Sequence, residues 1–221
     1  MKILLLGSTG RTGSIVLKEL LEKGYTVNCL VRNIPRDLNN EKLSFYKGFP
    51  NNEKDLERAM LGCNKVIMVL NISRNSDFPW SKLKTPKKLL SETMKLIIRI
   101  SKKHNIEHIL TCSAWGVGDT KNDIPKWFKW LIKNSNIGFA YADHERQEKV
   151  LTDSNINWTI VRPVGLTNLK RKEKIIESQD NNPKPNILIS RKSVAKYMVE
   201  SLNNNSLIKK KVVVSGIKLR V

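Results

Sequence analysis

The sequence predicts an α/β fold built on a doubly wound, mostly parallel sheet. Short apolar runs typical of buried strands alternate with segments whose apolar residues recur at helical spacing, which is the pattern of strands joined by crossover helices. The chain has 221 residues, 40% of them apolar, enough for one α/β domain with its own core. Because no internal repeat and no Pro- or Ser-rich linker interrupts it, we expect a single domain over residues 1–221.

The alternation places each element approximately. The predicted strands lie at 2–6, 26–31, 43–47, 65–70, 107–112, 158–163 and 211–215. The first helix follows the first strand and ends near Gly24, and another carries the apolar positions from Leu89 to Ile100. Further helices are predicted at 52–61, 142–153 and 190–203.

Two stretches, 72–86 and 114–135, fit neither pattern and follow the carboxyl ends of predicted strands. Ligands of open α/β sheets bind just beyond those ends, so both stretches are candidate walls of a substrate pocket. Alternatively, their tryptophans fill gaps beneath long loops.

The chain carries a formal net charge of +20, with lysine scattered along it. Such a charge attracts nucleic acids, acidic surfaces and anionic cofactors through long-range steering. The lack of interleaved aromatic residues in the densest basic clusters favours compositional bias over nucleic-acid binding. Those clusters are Lys170, Arg171, Lys172 and Lys174, and Lys209, Lys210 and Lys211.

Other features narrow the class of protein. Cys29, Cys63 and Cys112 are too few and too widely spaced for a disulfide framework or a metal cluster, so we expect buried thiols and no metal site. No apolar run approaches the roughly 18 residues that a membrane span needs, so neither a span nor a membrane partner is expected. The start of the sequence does not resemble a signal peptide, which favours a cytoplasmic protein. The sequence leaves the oligomeric state open, with a monomer as the simplest expectation.

A glycine motif, Gly7-Ser8-Thr9-Gly10-Arg11-Thr12-Gly13, joins the first strand to the first helix. In a Rossmann-like domain, glycines at these positions permit a tight turn, close backbone approach to a pyrophosphate, and close helix–strand packing. The amides at the helix start then face the phosphates, where the helix dipole favours negative charge. Hydroxyl donors are expected from Thr9 and Thr12. The order of strand, motif, helix and second strand predicts a dinucleotide site at this position.

The second strand is followed by Arg32, nineteen residues after Gly13. An acidic residue near this position binds the ribose hydroxyls of NAD, whereas a guanidinium can hold the 2'-phosphate of NADP through paired hydrogen bonds. The sequence therefore predicts NADP(H) as cofactor, with Arg36 as a second and Arg11 as a third contact. A solvated surface arginine is the alternative in so basic a chain.

The chain resembles the atypical short-chain dehydrogenase/reductases with an NmrA-like NAD(P)H-binding fold, and within them the biliverdin reductase B, or flavin reductase, group. The resemblance covers almost the whole chain. It rests on the glycine motif, Leu30-Val31-Arg32-Asn33, Thr111-Cys112-Ser113-Ala114, Ala142-Asp143-His144, Glu148-Lys149-Val150-Leu151, Thr159-Ile160-Val161-Arg162-Pro163 and Ser190-Arg191.

The resemblance implies an NADPH-dependent reductase of planar, conjugated substrates such as flavins or linear tetrapyrroles. It implies that Ser113 lies beside the nicotinamide and the substrate. It further implies that Val69, Leu70 and Asn71 line the path from adenosine to nicotinamide, with Pro163, Val164 and Gly165 near the carboxamide.

The sequence departs from the family pattern at two places. Gly48-Phe49-Pro50 replaces the Gly-Asp dipeptide that usually approaches the adenine, and Tyr141 is followed four residues later by Glu145 rather than lysine. The usual Tyr-x-x-x-Lys proton relay is therefore missing, and Tyr141 is expected to bound the pocket. A proton would come from solvent, from Ser113, or from His144 acting as a general acid. Ser113 is alternatively a plain strand-end hydroxyl, and His144, at the expected start of a helix, alternatively lies at the surface.

Two functions remain open at this point. The first is an NADPH-dependent oxidoreductase of flavins, bilins or similar small molecules, because the cofactor itself carries the hydride chemistry. The second is a non-enzymatic NADP(H) sensor or pigment-related assembly factor with a protein or nucleic-acid partner, favoured by the missing proton relay and the high charge.

Overall fold

Eight strands form the central sheet of the computed structural model, which describes residues 1–36, 38–169 and 173–218. The strands are β1 (Lys2–Leu6), β2 (Thr26–Val31), β3 (Leu43–Lys47), β4 (Lys65–Met68), β5 (His108–Cys112), β6 (Asn157–Pro163), β7 (Gly165–Thr167), β8 (Glu173–Ser178), β9 (Leu188–Ser190) and β10 (Lys210–Lys218). The sheet has the order β3-β2-β1-β4-β5-β6-β10-β8, and β7 pairs with β9 in a separate two-stranded sheet. The first seven strands in this order, from β3 at the edge to β10, run parallel to one another. The last strand, β8, pairs with β10 in the antiparallel sense.

The strands bury side chains on both faces, as a sheet covered by helices requires. Along β1, Ile3 and Leu5 belong to one core, while Leu4 and Leu6 belong to the other. This separation follows from the two-residue period of a strand. The first core lies under α1 (Gly13–Glu22) and α6 (Arg191–Ser201), and the second under α2 (Glu53–Met60), α3 (Leu89–Ser101) and α5 (Ile137–Thr152). The predicted doubly wound α/β class is confirmed.

The element boundaries differ from the predictions where side-chain pattern competes with tertiary contacts. Strand β4 ends at Met68 rather than residue 70, and β10 continues beyond residue 215 to Lys218 because β8 extends its pairing. The sequence reading missed β7, β8 and β9. The basic cluster at 170–172 lies outside the described residues.

The stretch 114–135 contains regular structure, contrary to expectation. A short 3-10 helix spans Gly118–Asn122, and α4 spans Lys126–Asn134. Helix α5 begins at Ile137, five residues before the predicted start at 142. The helical period of α4 is difficult to recognise in the sequence, because aromatic residues lie on its outward face as well as on its inward face.

Three expectations from composition concern the cysteines, metal binding and membrane-spanning helices. All three cysteines are buried free thiols, and burial raises the pKa of Cys112 to about 12, so the thiolate is not formed near neutral pH. Within the described residues no His/Cys/Asp/Glu group could hold a metal ion. None of the described helices is both long and apolar enough to cross a bilayer.

Candidate functional site

A cleft of about 590 Å³ opens at the carboxyl ends of the central strands. Its floor lies where the strand order reverses between β1 and β4, which is where open α/β sheets bind ligands. The cleft is lined by residues that follow five strands of the central sheet, β1 to β5. Among the predicted site residues it contains Gly7, Thr9, Gly10, Arg11, Thr12, Arg32, Val69, Leu70, Asn71, Ser113 and His144.

The glycine loop is packed so closely that side chains have no room at two positions. Gly7 has a φ of +91°, and a Cβ there would lie 2.6 Å from the carbonyl oxygen of Val69. A Cβ on Gly13 would lie 1.9 Å from the carbonyl oxygen of Gly7. The loop therefore holds the start of α1 against the end of β1, with Gly10 facing the cleft.

This arrangement fits a bound dinucleotide. The amides of Ser14, Ile15 and Val16 donate to the carbonyl oxygens of Gly10 and Thr12, and the loop residues Thr9 to Thr12 line the cleft at the N-terminal end of α1, where the helix dipole favours phosphate. Gly10 leaves the backbone bare beside that end, and the nearest atom to an added Cβ is the Gly7 carbonyl oxygen at 3.2 Å. The glycine loop thus provides the cradle that a diphosphate requires.

Arginine and lysine side chains surround the cleft. Arg32 is exposed at the end of β2, on the side of the cleft where β2 and β3 end. On the other side, cations come from Arg74 and Lys84 in the 72–86 segment and from Arg191 at the start of α6. Burial and the charge of Arg11 lower the pKa of Arg191, and the carboxylate of Asp77 opposes that shift. The cleft is therefore suited to a polyanionic ligand.

An ion pair crosses the mouth of the cleft. Arg11 donates from Nη1 to Asp77 Oδ2 at 2.9 Å and from Nη2 to Asp77 Oδ1 at 2.8 Å. The hydrogen bond from Arg11 lowers the pKa of Asp77. Both side chains are exposed, so the pair contributes little to stability. It connects the glycine loop with the 72–86 segment, and Arg11, expected to contact phosphate, points instead to a carboxylate.

Ser113 follows β5 directly and lines the cleft. Its amide donates to the carbonyl oxygen of Val161 at 2.8 Å, which fixes the backbone. The side chain is only 5% exposed, and its hydroxyl has no hydrogen-bond partner within the described residues. A buried hydroxyl without a partner is costly unless a ligand or water satisfies it.

His144 lies in the interior of α5 and borders the cleft, so the surface position considered from the sequence is wrong. The residue is 4% exposed. Its Nδ1 lies 3.1 Å from Gln147 Oε1, and Gln147 Nε2 donates to the hydroxyl of Thr111. Burial lowers the pKa of His144, against the raising effects of Gln147, Glu148 and Asp143. The imidazole is therefore neutral near pH 7, which disfavours the proposed role of a cationic general acid.

Asp143, beside His144, has a different role. Its Oδ2 accepts from the amide of Leu90 at 2.7 Å, and its Oδ1 accepts from the hydroxyl of Ser91 at 2.6 Å. Both residues lie in the first turn of α3, so a side chain from α5 caps another helix. The Asp-His pair that the sequence reading placed at a helix start thus supports the neighbouring helix instead.

Some predicted site residues lie outside the cleft lining. Gly13 packs against the Gly7 carbonyl, and Arg36 is exposed and does not line the cleft. Pro163 and Val164 are buried; the carbonyl oxygen of Pro163 accepts from the amide of Trp115, and the amide of Val164 donates to Val214.

The 114–135 stretch does not contribute to the described cleft lining, whereas the 72–86 stretch does. Tyr141, expected to bound the pocket, packs edge-on against Phe128 with ring centroids 5.9 Å apart. Burial raises the pKa of its phenol above the usual range. The contact between Phe128 of α4 and Tyr141 of α5 packs these two helices against each other.

Sequence reasoning also missed residues that border the cleft. Arg74, Asp77 and Lys84 lie in a segment recognised only as a candidate wall, with no period to assign individual side chains. Phe49 also borders the cleft, where the Gly-Asp dipeptide was expected; its amide donates to Asp55 Oδ2 at 3.0 Å and its ring is 56% exposed. The position of Phe49 two residues after the end of β3 was the available signal.

The strand order and the glycine cradle define a Rossmann-type dinucleotide-binding protein. Residues 7–205 match the family model described as NAD(P)H-binding, and the chain belongs to this family. The expected NAD(P)H-binding family and the nicotinamide nucleotide cofactor are confirmed.

Several proteins of known structure share the fold. The reductase ChuY of Escherichia coli O157:H7, described as an anaerobilin reductase, superimposes with a TM-score of 0.81 at 17% identity, covering 100% of both chains. A short-chain dehydrogenase/reductase of Veillonella parvula, solved with NADP, gives a TM-score of 0.76 at 21% identity, covering 97% of this chain and 94% of that one. The oxidoreductase ylbE of Lactococcus lactis gives 0.79 at 20% identity, covering 99% and 92%.

One curated relative is the photosystem II assembly factor Ycf39 of Trieres chinensis. It is 28% identical over 173 residues, which are 75% of this chain and 46% of the relative. The chain thus matches about half the length of that relative.

Proposed function

We propose that this protein transfers hydride from NADPH to a planar, conjugated acceptor such as a flavin or a linear tetrapyrrole. The observation that carries the proposal is a single cleft that joins the glycine cradle to the unsatisfied hydroxyl of Ser113 and the neutral imidazole of His144. When bound, the nicotinamide cofactor supplies the hydride, and the protein supplies placement.

The strand order supports an orientation for the cofactor. The ends of β2 and β3 lie on one side of the glycine loop, and the ends of β4 and β5 lie on the other. Arg32 would bind the 2'-phosphate on the first side, where the exposed ring of Phe49 offers a stacking surface for adenine. Val69, Leu70 and Asn71 would line the path to Ser113 on the second side.

Acceptor binding would use the outer cleft. Arg74, Lys84 and Arg191 favour an acceptor that carries acidic groups, as flavin mononucleotide and linear tetrapyrroles do. Holding such an acceptor against the nicotinamide at reacting distance accelerates transfer through orientation. The neighbouring tetrapyrrole reductase ChuY adds support for this acceptor class.

Protein groups would assist without a charged acid. The Ser113 hydroxyl would donate a hydrogen bond to the cofactor or acceptor. His144, a neutral imidazole held by Gln147, would position that ligand. The Gln147 carbonyl oxygen favours the tautomer with hydrogen on Nδ1, which leaves Nε2 an acceptor. The proton consumed in the reaction would then come from solvent.

Oxidation of NADPH by the purified protein, followed by absorbance, tests the proposal with flavins, biliverdins and quinones as acceptors. We expect turnover with at least one of them and preference for NADPH over NADH. Arg32→Gln should raise the KM for NADPH by about 10- to 100-fold, because a charged hydrogen bond contributes about 1.5–3 kcal/mol. Turnover with NADH should change little in that variant.

A matched variant separates a local from a general charge effect. Arg99 is an exposed arginine of α3, paired with Glu53 and outside the cleft lining. Arg99→Gln should leave the KM for NADPH within about twofold, because exposed charges at this distance are screened. NADPH that binds but is oxidised no faster than background with every acceptor would rule out the reductase.

A non-enzymatic NADP(H)-binding assembly factor is the second candidate. The relative Ycf39 and the missing Tyr-x-x-x-Lys relay favour it. This candidate predicts NADPH binding without turnover, together with capture of a partner protein. A steep loss of DNA binding with rising salt would instead support a nucleic-acid partner.

A further inference from the structure

Helix α4 presents two tryptophans to solvent. Trp127 and Trp130 lie three residues apart, so they project from the same side of the helix. Their side chains are 65% and 59% exposed. On the opposite side, Phe128 and Ile132 pack against the core beneath α1 and α6. The outward tryptophans are therefore not needed to attach α4 to the domain.

A second exposed aromatic pair adjoins the end of α4. Trp80 donates from Nε1 to the carbonyl oxygen of Asn134 at 2.6 Å, and Asn136 donates from Nδ2 to the carbonyl oxygen of Trp80 at 2.9 Å. Phe78 and Trp80 have ring centroids 5.2 Å apart and are 62% and 44% exposed. We call Phe78, Trp80, Trp127 and Trp130 together the aromatic patch.

The segments that carry the aromatic patch contain only one sign of charge. Residues 78–91 and 124–142 contain seven lysines and no aspartate, glutamate or arginine. These lysines are Lys82, Lys84, Lys87, Lys88, Lys126, Lys129 and Lys133. On α4, Lys126 and Lys133 are exposed alongside the two tryptophans. The aromatic patch therefore has exposed lysines beside it on a molecule of net charge +20.

We propose that the aromatic patch is a peripheral docking site for an anionic lipid surface. Tryptophan rings favour the headgroup region of a bilayer, where an apolar ring and a polar N–H are both accommodated. Lysines beside them attract anionic headgroups, and their long aliphatic stems let the ammonium groups reach the interface. This role departs from the expectation of no membrane partner, and it needs no spanning helix.

Charge and residue type argue against the other occupants of such a surface. A second copy docking face to face would bring the same lysines together, because a two-fold interface uses the same patch on both subunits. Nucleic-acid sites rely heavily on arginine for phosphate and base contacts, and the two segments contain none. Lysine with tryptophan is the pair expected at a lipid interface.

Sedimentation of the full chain with vesicles tests the proposal. The protein should bind phosphatidylcholine vesicles that contain phosphatidylglycerol and bind pure phosphatidylcholine vesicles at least tenfold more weakly, as roughly expected for several lysines near an anionic surface. Tryptophan emission should shift to shorter wavelength on binding. The double variant Trp127→Gln/Trp130→Gln should lose this shift and bind on the order of tenfold more weakly, because the inserted rings are gone.

Matched variants elsewhere on the surface provide the controls. Leu61 is 62% exposed at the end of α2, and Leu61→Gln should leave vesicle binding unchanged. Lys126→Gln/Lys133→Gln should weaken binding more than Lys54→Gln/Lys192→Gln, which removes two exposed lysines from α2 and α6. All four sets lie on exposed positions, so circular dichroism and melting should match the parent protein.

Three results would overturn the proposal. They are no binding to the anionic vesicles, full binding by the double tryptophan variant, and equal losses from both pairs of lysine substitutions. Retention of single-stranded DNA that depends on Trp127 and Trp130, without vesicle binding, would assign the patch to nucleic acid instead.

Discussion

Gly13 lies where the start of α1 passes over the turn after β1, and it has less space than any other glycine in the motif. A Cβ at this position would lie 1.9 Å from the Gly7 carbonyl oxygen, a backbone atom that cannot rotate away. We predict that Gly13→Ala pushes the loop apart, lowers the free energy of unfolding by about 1–3 kcal/mol or more and weakens NADPH binding. Urea unfolding and calorimetric titration measure the two effects.

Gly10 has more space for a side chain than Gly13. An added Cβ would lie 3.2 Å from the Gly7 carbonyl oxygen, so a small shift accommodates it. Gly10→Ala should therefore cost little stability and still weaken NADPH binding, since the methyl group occupies the approach to the diphosphate. If both alanines left NADPH affinity intact, the glycine loop would not be the binding cradle.

Among the secondary structure elements, α3 depends on a side chain from α5. Asp143 is fully buried and accepts hydrogen bonds from the Leu90 amide and the Ser91 hydroxyl. We predict that Asp143→Ala lowers the free energy of unfolding by at least about 2 kcal/mol, because two buried donors lose their acceptor. Hydrogen exchange at the Leu90 amide should accelerate. Asp153→Asn, an exposed substitution after the end of α5, should change stability by no more than about 0.5 kcal/mol.

Helix α5 and strand β8 are elements that hydrophobic periodicity predicts poorly or not at all. Strands β1, β2 and β3 begin and end at the predicted residues. For β1 and β2 the reason is burial on both faces, which leaves nearly continuous apolar runs. Helix α5 begins five residues before the predicted start, and the missed turn contains Gly138, Phe139 and Tyr141, which have low intrinsic helix propensity. Strand β8 contains charged residues at Glu173, Lys174 and Glu177, and its antiparallel pairing with β10 arises from long-range contact.

For the molecule as a whole, the class of fold and the location of the cleft were accessible from sequence, whereas the contents of the cleft were only partly so. The spacing of the glycines is a pattern within one short segment, so it predicts only the loop that contains them. Arg74, Lys84 and Arg191 come from separate segments and meet only after the sheet is assembled. The neutral state of His144 depends on burial by several elements, which no local pattern encodes.

Buried histidine also makes the stability of the whole molecule depend on pH. His108 lies in the central strand β5, 5% exposed, with Nε2 2.9 Å from the Thr159 hydroxyl, which donates to the Leu207 carbonyl oxygen at 2.8 Å. Burial, assisted by the charge of Lys65, lowers the pKa of His108 from 6.5 to about 4. Because the unfolded chain binds the proton more tightly than the folded one, stability is full above about pH 6.5 and declines as the pH falls toward 4.

The size of that decline is measurable. We predict that His108 contributes a loss of about 3 kcal/mol between pH 7 and pH 4, from the difference between its folded and unfolded pKa values. Carboxylates and His144 add their own dependence, so the test compares urea unfolding of the parent with His108→Gln at both pH values. Glutamine retains an N–H for Thr159 but does not titrate, so the variant should lose less stability on acidification. Equal losses in the two proteins between the two pH values would mean that His108 does not couple folding to pH, because a change in packing shifts stability at both pH values whereas only a titrating group changes its dependence on pH.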